Sequence, residues 1–268
     1  MKNIAHIAAI LLLAVFITDC SKVPVTDRTQ LNLLPESQLQ SMATDQYRQV
    51  LSEAQVVPAG DPQAQMVQNV GMEIATAVEK YMAMENMKSR ISDYKWEFKL
   101  IKEDVANAWA MPGGKVAVYT GILPITETKA GLATVMGHEV AHAIARHGNE
   151  RMSQMMVAQL GGMALDVALS QKSQETRQIF NTAYAVGAQL GVLLPYSRLQ
   201  EREADKLGLI FMALAGYDPR QSVDFWQRMQ QKGGGAQVPE FLSTHPSHGT
   251  RVETLKEFMP TALKYYNK

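Results

Sequence analysis

The sequence predicts an α+β, mainly helical fold with one small β-sheet, and three observations carry that prediction. Apolar residues recur at helical spacing through most of the 268-residue chain. Around Trp96, Phe98 and Leu100 the pattern changes to alternation with Lys95, Glu97 and Lys99, the period of a half-buried strand. Hydrophobic residues make up 46% and charged residues 19%, enough apolar material for a packed core and too much for a disordered chain.

The elements follow in order. Lys2, the apolar run of 14 residues from Ile4 to Ile17 and the polar onset at Thr18 read as an export signal over residues 1–20. The run falls short of the roughly 20 residues that a spanning helix needs. Cys20 is the only cysteine, which excludes an internal disulfide. It stands where a bacterial lipoprotein carries its acylated cysteine; Ile17 and Thr18 suit that pattern and Asp19 departs from it. The expectation is an exported, periplasmic protein with a lipid anchor in the outer membrane.

Residues 21–34 are polar and contain Pro24, as a linker does. A folded domain is expected over 35–268. Its first helix carries Leu39, Met42, Ala43, Val50 and Leu51, and its second opens at Asp61-Pro62 and carries Val67, Val70, Ile74 and Val78. Strands are expected near Trp96–Leu100 and Val116–Thr120, with Pro112-Gly113-Gly114 as turn chemistry in a hairpin-like unit. The Val116–Thr120 strand is either an ordinary sheet strand or an edge open to an extended substrate. Thr128–Arg146 reads as a helix with small residues Gly137, Ala141 and Ala145 that permit close packing. Met155–Leu194 reads as two apolar helices that pack on the body or dip into a membrane interface. Asp218-Pro219 caps a helix with Val223, Trp226 and Met229, and a last helix runs near Arg251–Tyr265. The 26 basic and 26 acidic residues leave no net charge to attract nucleic acid.

The chemistry concentrates in His138-Glu139-Val140-Ala141-His142. On a helix, a step of about 100° per residue places His142 about 40° from His138 and Glu139 on the same side. Two imidazoles can therefore share one metal ion, and Glu139 can take a proton from water at the open position. A catalytic zinc site takes three protein ligands and leaves one place for water. The third ligand is sought in the charged stretch Ser197–Asp205, where Glu201, Glu203 and Asp205 compete. Glu201 and Asp205 share a face four residues apart, which suits a ligand followed by a supporting carboxylate; Glu203 points roughly 200° away. The plainer reading is a solvated face that pairs Arg198 with Glu201 and Arg202 with Asp205.

The segment NAWAMPGG, the motif HEVAH, the block SRLQEREAD and the later THPSHGTR together resemble peptidase family M-48, over roughly residues 93–251. The family includes the HtpX and CAAX-prenyl-protease gluzincins and the envelope proteases BepA and LoiP. The resemblance implies a zincin-like (gluzincin) metalloprotease domain in which Glu201 binds one Zn2+ ion and Asp205 is a catalytic or supporting acid. It also favours the substrate-edge role for Val116–Thr120. The implied activity is zinc-dependent hydrolysis of internal peptide bonds, with misfolded or unassembled envelope proteins as substrates. The rival is a non-catalytic, zinc-containing envelope chaperone or assembly lipoprotein.

His245 could close the metal's open position, bond the oxyanion of the reaction or stabilise its loop. Arg251 is a second oxyanion candidate. His147 and His248 are assigned to structure or surface.

Overall fold

A computed structural model describes residues 20–189, 194–233, 239–245 and 250–266. The expected signal up to position 19 and His248 lie outside the described residues. In chain order the elements are β1 (Cys20–Lys22), β2 (Thr29–Leu31), α1 (Glu36–Glu53), α2 (Pro62–Met84), β3 (Glu97–Ile101), β4 (Ala108–Met111), β5 (Lys115–Tyr119) and α3 (Leu123–Thr126). They continue with α4 (Lys129–Ile144), α5 (His147–Ala168), α6 (Gln174–Ala188), α7 (Leu194–Leu214), α8 (Gln221–Gly233), α9 (Glu240–Thr244) and α10 (Arg251–Ala262). This is the mainly helical α+β content that the periodicity predicts.

The chain divides into two compact units, Met1–Glu36 with Arg146–Leu199, and Ser37–Ala145 with Gln200–Lys268. In the first, the segment expected to be a linker carries an antiparallel hairpin, with Cys20 opposite Leu31. Nη1 and Nη2 of Arg28 donate to the carboxylate of Glu150 on α5, at 2.6 and 2.8 Å. The Leu33 N–H donates to Ser153 Oγ at 2.8 Å, and Asn149 Nδ2 donates to the Leu34 carbonyl at 2.8 Å. Glu150 and Ser153 are buried, so these bonds form away from competing water. Beyond Gln154 the helix changes character: Met155, Leu160, Met163 and Val167 are exposed, and α6 buries no residue. The Arg177–Asp166 ion pair at 2.7 Å and the bond from Tyr184 Oη to the Ala158 carbonyl join α5 to α6. Among the described residues no helix is long and apolar enough to cross a membrane.

In the second unit, Asp61 caps α2 by accepting from the Gln63 N–H at 2.7 Å, with Pro62 in the first turn, where its missing donor costs nothing. Val67, Val70, Ile74 and Val78 of α2 are buried, and α2 packs on β3 and α4. The larger sheet has the order β3-β5-β4, with β3 parallel and β4 antiparallel to β5. The hairpin thus joins β4 to β5, turning at Gly113 and Gly114 with φ of +84° and +83°, a region glycine enters without a Cβ clash. Ala108–Met111, between the two strands expected from the sequence, is a third strand. Lys115 to Val118 are buried and β5 is paired on both sides, so the substrate-edge role expected of this strand is corrected. Among the described residues no strand pairs with the outer side of β4, and β4 packs on α4.

Candidate metal centre

Thr128 opens α4 by accepting from the Gly131 N–H at 3.0 Å, and residues 131–144 of the helix are buried throughout. A Cβ at Gly131 would lie 2.0 Å from the Thr126 carbonyl oxygen, so only glycine fits that first turn. Further along, Gly137 of α4 meets Gly208 of α7 backbone to backbone. The small residues therefore bring α7 close enough for its carboxylates to reach the histidines of α4.

His138 Nε2 lies 3.1 Å from His142 Nε2. Glu201 bridges the pair, with Oε2 3.3 Å from His138 Nε2 and Oε1 3.3 Å from His142 Nε2. His245 Nδ1 comes from the opposite side, 3.3 Å from His138 Nε2 and 3.1 Å from Glu201 Oε1. One ligand atom from each of the four lies within 4.8 Å of the others. Zinc–nitrogen bonds of about 2.0–2.1 Å at tetrahedral angles place neighbouring ligand atoms roughly 3.3 Å apart, which fits these separations.

The charges fit as well. With the histidines neutral, as metal ligands must be, the buried Glu139, Glu201 and Asp205 against the Arg251 guanidinium leave an excess of two negative charges among the described residues. A divalent cation cancels that excess, and without one a proton on His138 offsets part of it.

His138 Nδ1 lies 3.0 Å from Asp205 Oδ1. An Nδ1–H donated to Asp205 leaves the Nε2 lone pair facing the metal position. Burial works against charge on His138, but the carboxylates of Asp205 and Glu201 outweigh it and push its pKa up to about 9. Burial opposes ionisation of Glu201, yet the surrounding His142, His138 and His245 hold it well below the usual carboxylate range. Asp205 is likewise held low, its burial being outweighed by Arg251 and His138. Arg251 Nη2 donates to Asp205 at 2.7 Å and to Glu201 at 3.3 Å. Glu139 points to the same centre, with Oε1 3.2 Å from His245 Nε2.

All six residues singled out from the sequence, His138, Glu139, His142, Glu201, Asp205 and His245, converge in the second unit. The solvated-face reading of Glu201 and Asp205 fails, because both are 5% exposed. Glu203 is also buried, at 1%, but it is not in the four-residue cluster. Arg251 reaches the carboxylates and His138, and His147 is fully buried in the first unit. Trp226 was legible only as an apolar helix position; its ring lies under the Arg251 guanidinium with 3.5 Å between the guanidinium carbon and the ring centroid. Nothing in the spacing of α8 signals that role.

The outer side of β4 begins beside this centre, where the Ala108 N–H is held by Asn107 Oδ1 at 2.8 Å. Tyr119 N–H donates to the Asn107 carbonyl, so alternation turns the backbone groups of Ala108 and Ala110 away from β5. Phe241 N–H donates to the Ala106 carbonyl at 3.0 Å, tying α9 to the start of the strand.

The chain is similar to proteins named mitochondrial metalloendopeptidase OMA1. That of Schizosaccharomyces pombe is 32% identical over 92% of this chain and 68% of its own length. That of Saccharomyces cerevisiae is 32% identical over 94% of this chain and 73% of its own length. A beta-barrel assembly-enhancing protease of Yersinia pestis is 29% identical over 59% of this chain and 33% of its own length. The relatives that match nearly the whole chain bear mitochondrial names, and this overturns the expectation of a periplasmic protein anchored to the outer membrane. Residues 70–259 match peptidase family M48. With a match over most of the folded chain and a histidine–glutamate centre of metal-binding geometry inside it, the chain belongs to peptidase family M48, a family of metal-dependent peptide hydrolases.

Proposed function

We propose that the chain is a zinc endopeptidase that cuts internal bonds of misfolded or unassembled polypeptides, with His138, His142 and Glu201 as ligands of one Zn2+ ion and Glu139 as general base. The observation that carries this reading is the convergence of two imidazole nitrogens and one carboxylate within 3.1–3.3 Å of one another, with a second buried carboxylate, Glu139, on the open side. A zinc ion bound there would supply Lewis-acid polarisation of the scissile carbonyl and of the attacking water. Glu139 takes the proton of that water and returns it to the leaving amine. Asp205 supports rather than reacts: it holds the His138 ring so that Nε2 faces the centre. The open edge of β4 pairs with an extended substrate through its main chain, which suits unfolded polypeptides of varied sequence.

His245 is read as a reversible fourth ligand that keeps the enzyme latent. In its observed pose the ring presents Nδ1 to the ligand cluster and Nε2 to Glu139, occupying the place that water and substrate need.

The test compares the purified chain with Glu139→Gln and His245→Ala, measuring bound zinc and cleavage of casein. The expected result is zinc in all three, cleavage by the parent, faster cleavage by His245→Ala and none by Glu139→Gln. Zinc in all three without cleavage in any would favour the rival, a zinc-containing binding protein.

A further inference from the structure

We infer that Trp226 is a positioning residue of this centre, acting through Arg251: its indole holds the guanidinium flat in the one pose that braces Asp205 and, through Asp205, the ring of His138. The inference rests on the zinc-site reading above.

Arg251 is 5% exposed and Trp226 is 1% exposed, so neither side chain is held by solvent. A guanidinium is planar and its donors radiate from its edge, so covering one face leaves the edge free to bond in a fixed plane. The indole covers that face at 3.5 Å. From the edge, Nη2 reaches Asp205 at 2.7 Å and Glu201 at 3.3 Å, and Nη1 reaches the His245 carbonyl at 3.4 Å. The Asp205 oxygen that accepts from Arg251 also faces His138 Nδ1. Tilting the guanidinium would move that oxygen, and the imidazole would turn with it.

The indole is itself fixed. It stacks on Phe241 at 5.7 Å between centroids and meets the His138 ring edge to face at 5.8 Å. Tryptophan attracts a cation over its face better than the other aromatic rings do, and more so when the pair is desolvated, which suits an indole here in place of an aliphatic core residue.

The experiment uses the full chain with Trp226→Phe, Trp226→Met and Arg251→Lys, and Trp226→Met in an Arg251→Met background. The readouts are zinc affinity by chelator competition, kcat and KM on casein, and the thermal midpoint. Methionine refills much of the volume without an aromatic face, and lysine keeps the charge without the plane. Trp226→Met and Arg251→Lys are expected to weaken zinc binding and lower kcat by about 10-fold or more, with KM within about twofold, as loss of a ligand's support does. Trp226→Phe should recover most of both. In the Arg251→Met background, Trp226→Met should change zinc affinity by less than about twofold, since residues acting through one another are not additive. An equal loss in both backgrounds, or an Arg251→Lys variant that binds zinc like the parent, would overturn the proposal. If Trp226→Met does not fold, Arg251→Lys decides alone. A parent that binds zinc but cuts nothing would count against the peptidase reading only, because zinc affinity still tests the role of Trp226.

Discussion

Gly137 and Gly208 face each other where α4 crosses α7, and a Cβ on Gly137 would stand 3.1 Å from the Gly208 carbonyl oxygen while one on Gly208 would stand 3.0 Å from the His138 nitrogen. The neighbours are backbone atoms, which cannot swing aside. This contact sets the distance from which Glu201 reaches the two histidines. Gly208→Ala is therefore expected to part the helices by a few tenths of an ångström and weaken zinc binding about 10-fold, as displacement of ligand support does. Its effect on stability should be small, because the gain of about 1 kcal/mol from alanine in a helix opposes the clash. Chelator competition and a thermal melt on the same sample separate the two.

Asp205→Asn keeps the shape of the acceptor but removes the charge that faces Arg251 and His138. Zinc affinity should fall about 10- to 100-fold, the usual cost of losing a carboxylate behind a ligand histidine. A variant that retains parental affinity would show that Asp205 does not orient His138.

Ala110 turns its N–H toward the open edge of β4, away from the ladder with β5. Ala110→Pro removes that donor at a place where an edge strand tolerates proline. We expect kcat/KM on casein to fall about 3- to 10-fold, the worth of one main-chain hydrogen bond, with zinc content and melting point close to the parent's. A parental kcat/KM would mean that substrate does not pair there.

Arg28 clamps the β1–β2 hairpin to α5 through Glu150, whose side chain is 1% exposed. Arg28→Ala would leave a buried carboxylate without its main countercharge, a change that typically costs about 3–5 kcal/mol. Denaturant unfolding should show it. A loss under about 1 kcal/mol would place the pair among weak surface bridges.

Much of the site was legible because it is local. His138, Glu139 and His142 share one helix, and the helical step alone puts them on one side. Glu201 and Asp205 were separable from Glu203 for the same reason, being one turn apart on α7. Strand order was not legible: β4 pairs with β5 across the Gly113–Gly114 turn, while β3 reaches β5 in parallel, and alternation within a strand does not name its neighbours. The apolar segment after α4 forms helices, as its periodicity predicts, but α6 buries none of its residues. Periodicity reports an apolar face without reporting what covers it.

By itself, the sequence determined the helical character of the chain, the HExxH pair and the two carboxylates that could serve it, because each depends on periodicities of a few residues. Only the tertiary structure decided that β4 lies at the edge of the sheet and β5 at its centre, that His245 reaches the ligand cluster and that Trp226 lies under Arg251. Those residues come from different elements, and what joins them is the packing of α4 on α8 and the close approach of α4 to α7 at Gly137 and Gly208.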